Sequence, residues 1–208
     1  MIGIRGGTFD PIHLAHLRAT QEVAEALSLQ RVHLIPGRTP PHRPQPLASA
    51  QHRLAMVKCA IQRNDLLLAD DRELQREGAS FTVDTLHSLR EEYGQQTPLA
   101  LIIGMDAFQT FTAWHEWETI IKLAHLVVTS RPDYTAQPLQ AWAEAMHTEN
   151  TLDLHAQPAG KLYVMQTTAL SVSATEIRHQ QAAGRSIRYL VPDAVYDYIQ
   201  QHQLYRTT

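Results

Sequence analysis

Short continuous apolar runs alternate along this chain with longer stretches in which apolar residues recur every three or four positions. The runs Met1-Ile2-Gly3-Ile4-Arg5, Arg31–Pro36, Leu66–Ala69, Pro98–Gly104, His125–Ser130 and Lys161–Met165 read as buried strands. Between them, Leu14, Leu17, Val23, Ala24 and Leu27 mark one helical face, and Leu54, Val57, Ala60 and Ile61 mark another behind a capping Ser49. A third helix opens at Ser80-Phe81-Thr82 and carries Val83, Leu86 and Leu89. Ser173 with Glu176 forms a capping-box pattern that announces a fourth helix, ended by Gly184. Val195 to Tyr205 is a last amphipathic segment. Glu73 to Gly78 is polar, and the signal from Asp133 to Gly160 is poor: a helix over Gln137 to His147, then a loop from His155 to Gly160. Strands alternating with helices predict a parallel sheet covered on both faces, a doubly wound α/β fold. With no repeats, low-complexity tracts or linkers, the expectation is a single domain over residues 1–208.

The chemistry concentrates at the first strand-to-helix turn, Gly6-Gly7-Thr8-Phe9-Asp10-Pro11-Ile12-His13-Leu14-Ala15-His16. Two glycines at a strand end allow a tight turn and a close approach by a ligand. The helix that follows offers free N–H groups and its positive dipole end, which suits a phosphate. His13 and His16, three apart at the helix start, project toward one spot. The spacing fits neither of the common glycine-rich phosphate loops. A structural metal would lack its third and fourth ligands, since the chain has no H-E-x-x-H and a single cysteine.

Composition narrows the setting. Hydrophobic residues make up 44% of the 208 positions, typical of a globular protein. A net charge of −3 argues against a broad nucleic-acid surface. An anionic ligand would need a local basic pocket, for which Arg5, Arg18, Arg38, Arg43, Arg131 and Arg178 are candidates. The lone Cys59 fits a reducing, cytoplasmic setting, and no apolar run approaches the length of a membrane span or a signal peptide.

The turn resembles the G-G-[ST]-F-D-P-x-H-x-G-H signature of nucleotidyltransferases that make dinucleotide cofactors, and Val172-Ser173-Ala174-Thr175-Glu176-Ile177-Arg178 resembles their I-S-[SA]-T-x-[IV]-R signature. Over nearly its whole length the chain is similar to the bacterial nicotinate-nucleotide adenylyltransferase family. It departs at Ala15, where the family usually carries glycine. The resemblance implies a Rossmann-like nucleotidyltransferase fold and adenylyl transfer from ATP, with Mg²⁺, to nicotinate mononucleotide. It assigns His16, His13 and Arg178 to catalysis, and Gly6, Gly7, Thr8, Phe9, Asp106, Ser173 and Thr175, with those three, to ATP binding. His42 and Arg43 in the proline-rich loop, with Arg131, would face phosphates, and Phe81, Thr82 and Trp114 would line the nicotinate pocket. Read singly, Phe81 is equally a core residue, Asp106 a helix N-cap, and Trp117 a packing partner of Ile120 and Ile121. The alternatives to weigh are a sister adenylyltransferase acting on nicotinamide mononucleotide or phosphopantetheine, a nucleotide-binding protein without catalysis, and a metal-binding structural protein. Intact His13, His16 and Arg178 speak against the second.

Overall fold

The computed structural model describes residues 1–38, 45–130 and 139–206. The strands are β1 (Ile2–Gly7), β2 (Arg31–Pro36), β3 (Leu67–Ala69), β4 (Leu99–Gly104), β5 (His125–Ser130) and β6 (Leu162–Gln166). Their order in the sheet is β3-β2-β1-β4-β5-β6 and every pairing is parallel. The chain winds outward from β1 through β2 to β3, then returns to β4 on the other side of β1. The strand order therefore reverses between β1 and β4, and ligands in open α/β sheets bind beyond the carboxyl ends of the strands at such a point. There Gly6-Gly7 ends β1 and Gly104 ends β4.

Helices α1 (Leu14–Ala26), α2 (Ala50–Ile61), α3 (Arg72–Gln75), α4 (Thr82–Tyr93), α5 (Met105–Gln109), α6 (Trp117–Leu123), α7 (Ala141–Glu144), α8 (Leu152–Ala156), α9 (Ala174–Ala182) and α10 (Asp193–Gln201) cover the sheet, with a 3₁₀ turn at Phe111–Ala113. Strand alternation divides the core in two. Ala100, Ile102 and Val127 pack on one face with Val23, Leu27, Ile177 and Val195. Leu99, Leu101, Ile103 and Val128 pack on the other with Val83, Leu86, Leu89 and Ile120. Each face buries apolar area at roughly 25 cal/mol per Å², the main driving force for the three-layer arrangement.

Ser49 caps α2 as expected, its hydroxyl accepting from the His52 N–H at 3.3 Å. Ser173 caps α9 through the Glu176 N–H at 3.2 Å, but the reciprocal half of the capping box is replaced: the Glu176 carboxylate accepts from the Gln180 amide, one turn on, at 2.9 Å. Gly184, at φ 68°, follows the end of α9, and its N–H reaches the Gln181 carbonyl. Three readings are corrected. Of the polar stretch Glu73 to Gly78, only Glu73 to Gln75 lie in a short helix, α3, where Glu73 turns inward and accepts from Thr85 Oγ1 at 2.8 Å. Within 137–147, only Ala141–Glu144 is helical among the described residues. Residues His155 and Ala156 close α8 rather than a loop, because Leu154 is drawn into the core. No helix of the described residues is long and apolar enough to cross a membrane.

Candidate active site

Gly6 and Gly7 do different jobs. A Cβ on Gly7 would sit 2.9 Å from Phe9 Cε1, whereas one on Gly6 would meet nothing within 4 Å. Neither glycine adopts a left-handed conformation; the residue that does is Phe9, at φ 50°. The sharp turn thus falls one residue beyond Thr8, and Phe9 folds its ring back under Gly7. Phe9 as a whole is 2% exposed, so it shapes the turn rather than offering an open ring to a ligand.

His13 is the N-cap of α1 and makes no side-chain capping bond. Its ring stacks on that of His16 with centroids 3.7 Å apart and an interplanar angle of 22°. Phe9 meets His16 edge-on at 5.3 Å. The three rings form one packed unit at the N-terminus of α1, with His13 5% exposed. Burial, reinforced by the nearby Arg5 charge, pushes the His13 pKa down to about 4. His13 is therefore a neutral imidazole near pH 7.

Asp10 anchors this unit to three distant segments. Its carboxylate accepts from the Leu47 N–H at 2.9 Å, the Ala48 N–H at 3.1 Å and the Tyr205 hydroxyl at 2.7 Å. Burial first, and the Asp10 charge second, push the Tyr205 hydroxyl pKa upward, so it stays a protonated donor. Arg53 on α2, 1% exposed, donates to the Thr8 carbonyl at 2.8 Å and to the Ala48 carbonyl at 3.3 Å. Arg178 Nη1 on α9 donates to the Asp10 carbonyl at 2.7 Å across 168 residues, while Nη2 donates to Thr175 Oγ1 at 3.3 Å. The two sequence motifs thus meet in space: α1 and α9 start beside one another, with Arg178 bridging them.

Phe81 is the N-cap of α4 and Thr82 its first residue. The Phe81 ring packs against His115 at 4.4 Å, next in sequence to Trp114, which packs on Phe111 at 5.4 Å. The three predicted pocket residues are thus drawn to one aromatic neighbourhood. Trp117 packs on Trp142, centroids 5.0 Å apart, and both also meet Phe111, so they belong to the same aromatic cluster as Trp114, beside the core. Asp106 is exposed in the first turn of α5; the N-cap is Gly104, so the carboxylate favours the helix through the dipole rather than by capping. Arg18 is held by Glu22 at 2.6 Å, and Arg38 by the Arg76 carbonyl. His42, Arg43 and Arg131 lie outside the described residues.

Sequence reasoning left Asp10, Arg53 and Tyr205 without roles. The signal for Arg53 was present, since an arginine on the apolar face of α2 demands buried acceptors. Tyr205 had none.

The comparisons agree with this architecture. The cytidylyltransferase-like family model matches residues 4–180. A Pseudomonas putida protein named "Probable nicotinate-nucleotide adenylyltransferase" is 45% identical over 99% of this chain and 94% of its own. One of the same name from Methylococcus capsulatus is 46% identical over 99% of both chains. The fold is shared with Plasmodium falciparum nicotinic acid mononucleotide adenylyltransferase, solved in complex with NaAD, at TM-score 0.75 and 19% identity over 98% of this chain and 96% of that one. A parallel sheet of this order, two motifs meeting at its switch point and relatives matched end to end leave one conclusion: the chain belongs to the cytidylyltransferase-like family and, within it, to the nicotinate-nucleotide adenylyltransferases.

Proposed function

We propose that this protein, as one domain over residues 1–208, transfers the adenylyl group of ATP to nicotinate mononucleotide, giving nicotinate adenine dinucleotide and pyrophosphate in NAD biosynthesis. The observation that carries the reading is the meeting of Arg178 with Asp10 beside the stacked His13–His16 pair, at the mouth of the sheet between β1 and β4.

The reaction needs no protein nucleophile. A phosphate oxygen of the mononucleotide attacks the α-phosphorus of ATP, a new P–O–P bond forms, and the α–β bridging bond breaks in line to release pyrophosphate. The protein's task is to align two anions against their repulsion and to meet the charge that builds on the transferring group. Gly6, lacking a side chain in open space, lets the nucleotide approach the backbone. The His13 and His16 imidazoles meet the phosphates. Arg178 offers its planar guanidinium to the β- or γ-phosphate. Ser173 and Thr175 present the start of α9, and Thr8, Phe9 and Asp106 border the nucleotide, with His42, Arg43 and Arg131 supplying further cations.

Nucleotidyl transfer with ATP generally uses a divalent metal. The described residues hold no group of three or more His, Cys, Asp or Glu side chains suited to a metal. We take the ion to be Mg²⁺, carried in on the phosphate oxygens of ATP and neutralising part of their charge. Phe81 and Trp114 would stack on the pyridine ring, and backbone N–H groups near Thr82 and Trp114 would read its carboxylate. The cytoplasm is the proposed location, supported by the single reduced-type Cys59.

The test is pyrophosphate release from ATP with nicotinate mononucleotide, nicotinamide mononucleotide and phosphopantetheine in parallel. A carboxylate accepts two charge-assisted bonds where an amide mispairs, and each mispaired buried donor costs roughly 1–3 kcal/mol, so the acid should be preferred by about a hundredfold in kcat/KM. No release with any of the three would sink the reading, and comparable rates with acid and amide would sink the specificity.

A further inference from the structure

Arg5 is the residue immediately before Gly6; the sequence marks it only as one of six candidate cations for an anionic ligand, and the proposed chemistry does not use it. Gly3, Arg5 and Gly7 share one face of β1. A side chain on Gly7 would touch Phe9, and Phe9 packs edge-on against His16, which stacks on His13. Arg5 therefore leaves the strand on the face that carries the two histidines, close enough for its charge to bear on His13.

Its surroundings are unusual for a cation. Arg5 Nη1 has no exposed surface and no hydrogen-bond partner, and the same holds for His13 Nδ1. Among the described residues, no carboxylate pairs with Arg5. Burial pushes its pKa down to about 10, with no anion acting in the opposite sense. By contrast, the two arginines that are fully buried, Arg53 and Arg90, are satisfied. Arg53 meets three carbonyls, and Arg90 meets the carbonyls of Leu123, Gly94, Gln95, Thr97 and Pro158. Burying a guanidinium nitrogen without an acceptor or counter-charge costs stability that a fold tolerates where a ligand supplies the charge. An unpartnered guanidinium nitrogen and an unpartnered imidazole nitrogen by one helix N-terminus point the same way.

We propose that Arg5 is a phosphate-binding residue, contacting an oxygen of the same anionic group that His13 and His16 meet. The inference rests on the adenylyl-transfer reading for the identity of its ligands, and the phosphate is either part of the ATP triphosphate or that of the mononucleotide. Arg5 approaches the site from β1, whereas Arg178 approaches from α9.

The experiment compares the wild type with Arg5→Leu and Arg5→Lys by thermal unfolding and by isothermal titration with ATP, with nicotinate mononucleotide and with inorganic pyrophosphate. Without ligand, Arg5→Leu should melt at or above the wild-type temperature, because an uncompensated charge is gone. With ligand, its affinity should fall at least tenfold for whichever phosphate Arg5 contacts. A loss confined to ATP and pyrophosphate assigns the triphosphate, and one confined to the mononucleotide assigns its phosphate. Arg5→Lys keeps the charge and should lose affinity for that ligand by a smaller factor. Wild-type affinity for all three ligands in Arg5→Leu, or a lowered melting temperature with affinities intact, overturns the proposal. Should Arg5→Leu fail to fold, unchanged affinities in Arg5→Lys overturn it equally. A wild type that binds ATP but releases no pyrophosphate would instead defeat the adenylyl-transfer reading, leaving the binding measurements to judge Arg5.

Discussion

Replacing the adjacent glycines one at a time should separate what the turn needs for folding from what it needs for chemistry. In Gly7→Ala the new methyl would lie 2.9, 3.0 and 3.3 Å from three atoms of the Phe9 ring, all inside ordinary van der Waals contact. The ring cannot swing away: it is 2% exposed, wedged against His16, and attached to a backbone already at φ 50°. Overpacking of this kind costs about 1–3 kcal/mol. For a chain of this size that is a melting temperature lower by roughly 2–12 °C. In Gly6→Ala the methyl meets nothing within 4 Å, and the backbone there is not left-handed. Stability should hold or rise by up to about 1 kcal/mol, through a stiffer unfolded chain. On the proposed close approach of the nucleotide to Gly6, its catalytic cost should be large, because the methyl would occupy that space. Thermal unfolding and kcat/KM for ATP, measured on both variants, check the pair. A Gly7→Ala protein as stable as wild type would refute the steric argument. A Gly6→Ala enzyme with unchanged kcat/KM would refute the close approach.

Four further expectations follow from the site. His16→Ala should lower kcat on the order of a hundredfold while the circular dichroism spectrum stays native, and near-normal turnover in a folded variant would remove His16 from the chemistry. Arg178→Lys should raise KM for ATP more than for the mononucleotide, since lysine cannot hold the Asp10 carbonyl and a phosphate with one planar fork; equal effects on both substrates would contradict this. His13 has a folded pKa near 4 against about 6.5 unfolded, so the unfolded chain binds its proton first as pH falls. Its stabilising effect is full above about pH 6.5 and drains toward pH 4 by about 3 kcal/mol, so His13→Gln should lose less stability than wild type over that interval, and parallel curves would exclude it. Tyr205→Phe removes a hydrogen bond to a buried carboxylate and should cost about 1.5–3 kcal/mol of stability in denaturant titrations, a wild-type midpoint being the contrary outcome.

How far the sequence could be read depended on whether a residue's environment is local. The β strands were legible because a parallel strand is buried on both faces and spells an unbroken apolar run, as Leu99–Gly104 does. Ser49 and Ser173 announced their helices because capping is settled within four residues. The short helices α3 and α8 were not legible, since they are held by long-range contacts, Glu73 to Thr85 and Arg72 to Ser88 and Glu92 in one, Leu154 to the core and His155 to the Leu27 carbonyl in the other, and not by periodicity. The same limit explains the site. His13 and His16 could be paired from their spacing alone, whereas the bond from Tyr205 to Asp10 spans 195 residues and leaves no trace in local pattern. Phe9 in the left-handed region was also invisible, because a glycine pair beside it suggested itself as the bend.

The bonding of Asp10 bears on the chemistry of the whole site. It is a buried carboxylate within the first motif, the sort of group that elsewhere acts as a general base. Here its oxygens already accept from two backbone N–H groups and a tyrosine hydroxyl, and Arg178 lies 4.0 Å from Oδ2. A carboxylate whose oxygens are occupied in this way ties distant segments of the chain together. His13, neutral and stacked on His16, is no strong base, with a pKa near 4. Adenylyl transfer to a phosphate has no proton to remove, because the attacking oxygen is already an anion. A site that uses its carboxylate as a structural anchor, and that on the proposed reading meets its phosphates with imidazole and guanidinium groups, is suited to that reaction, and unsuited to transfer onto an alcohol, which would have to lose a proton. An alcohol-bearing acceptor such as a sugar hydroxyl should therefore give no product at any pH at which the fold survives, and its adenylylation would show that Asp10 or a histidine is freer than its bonding implies.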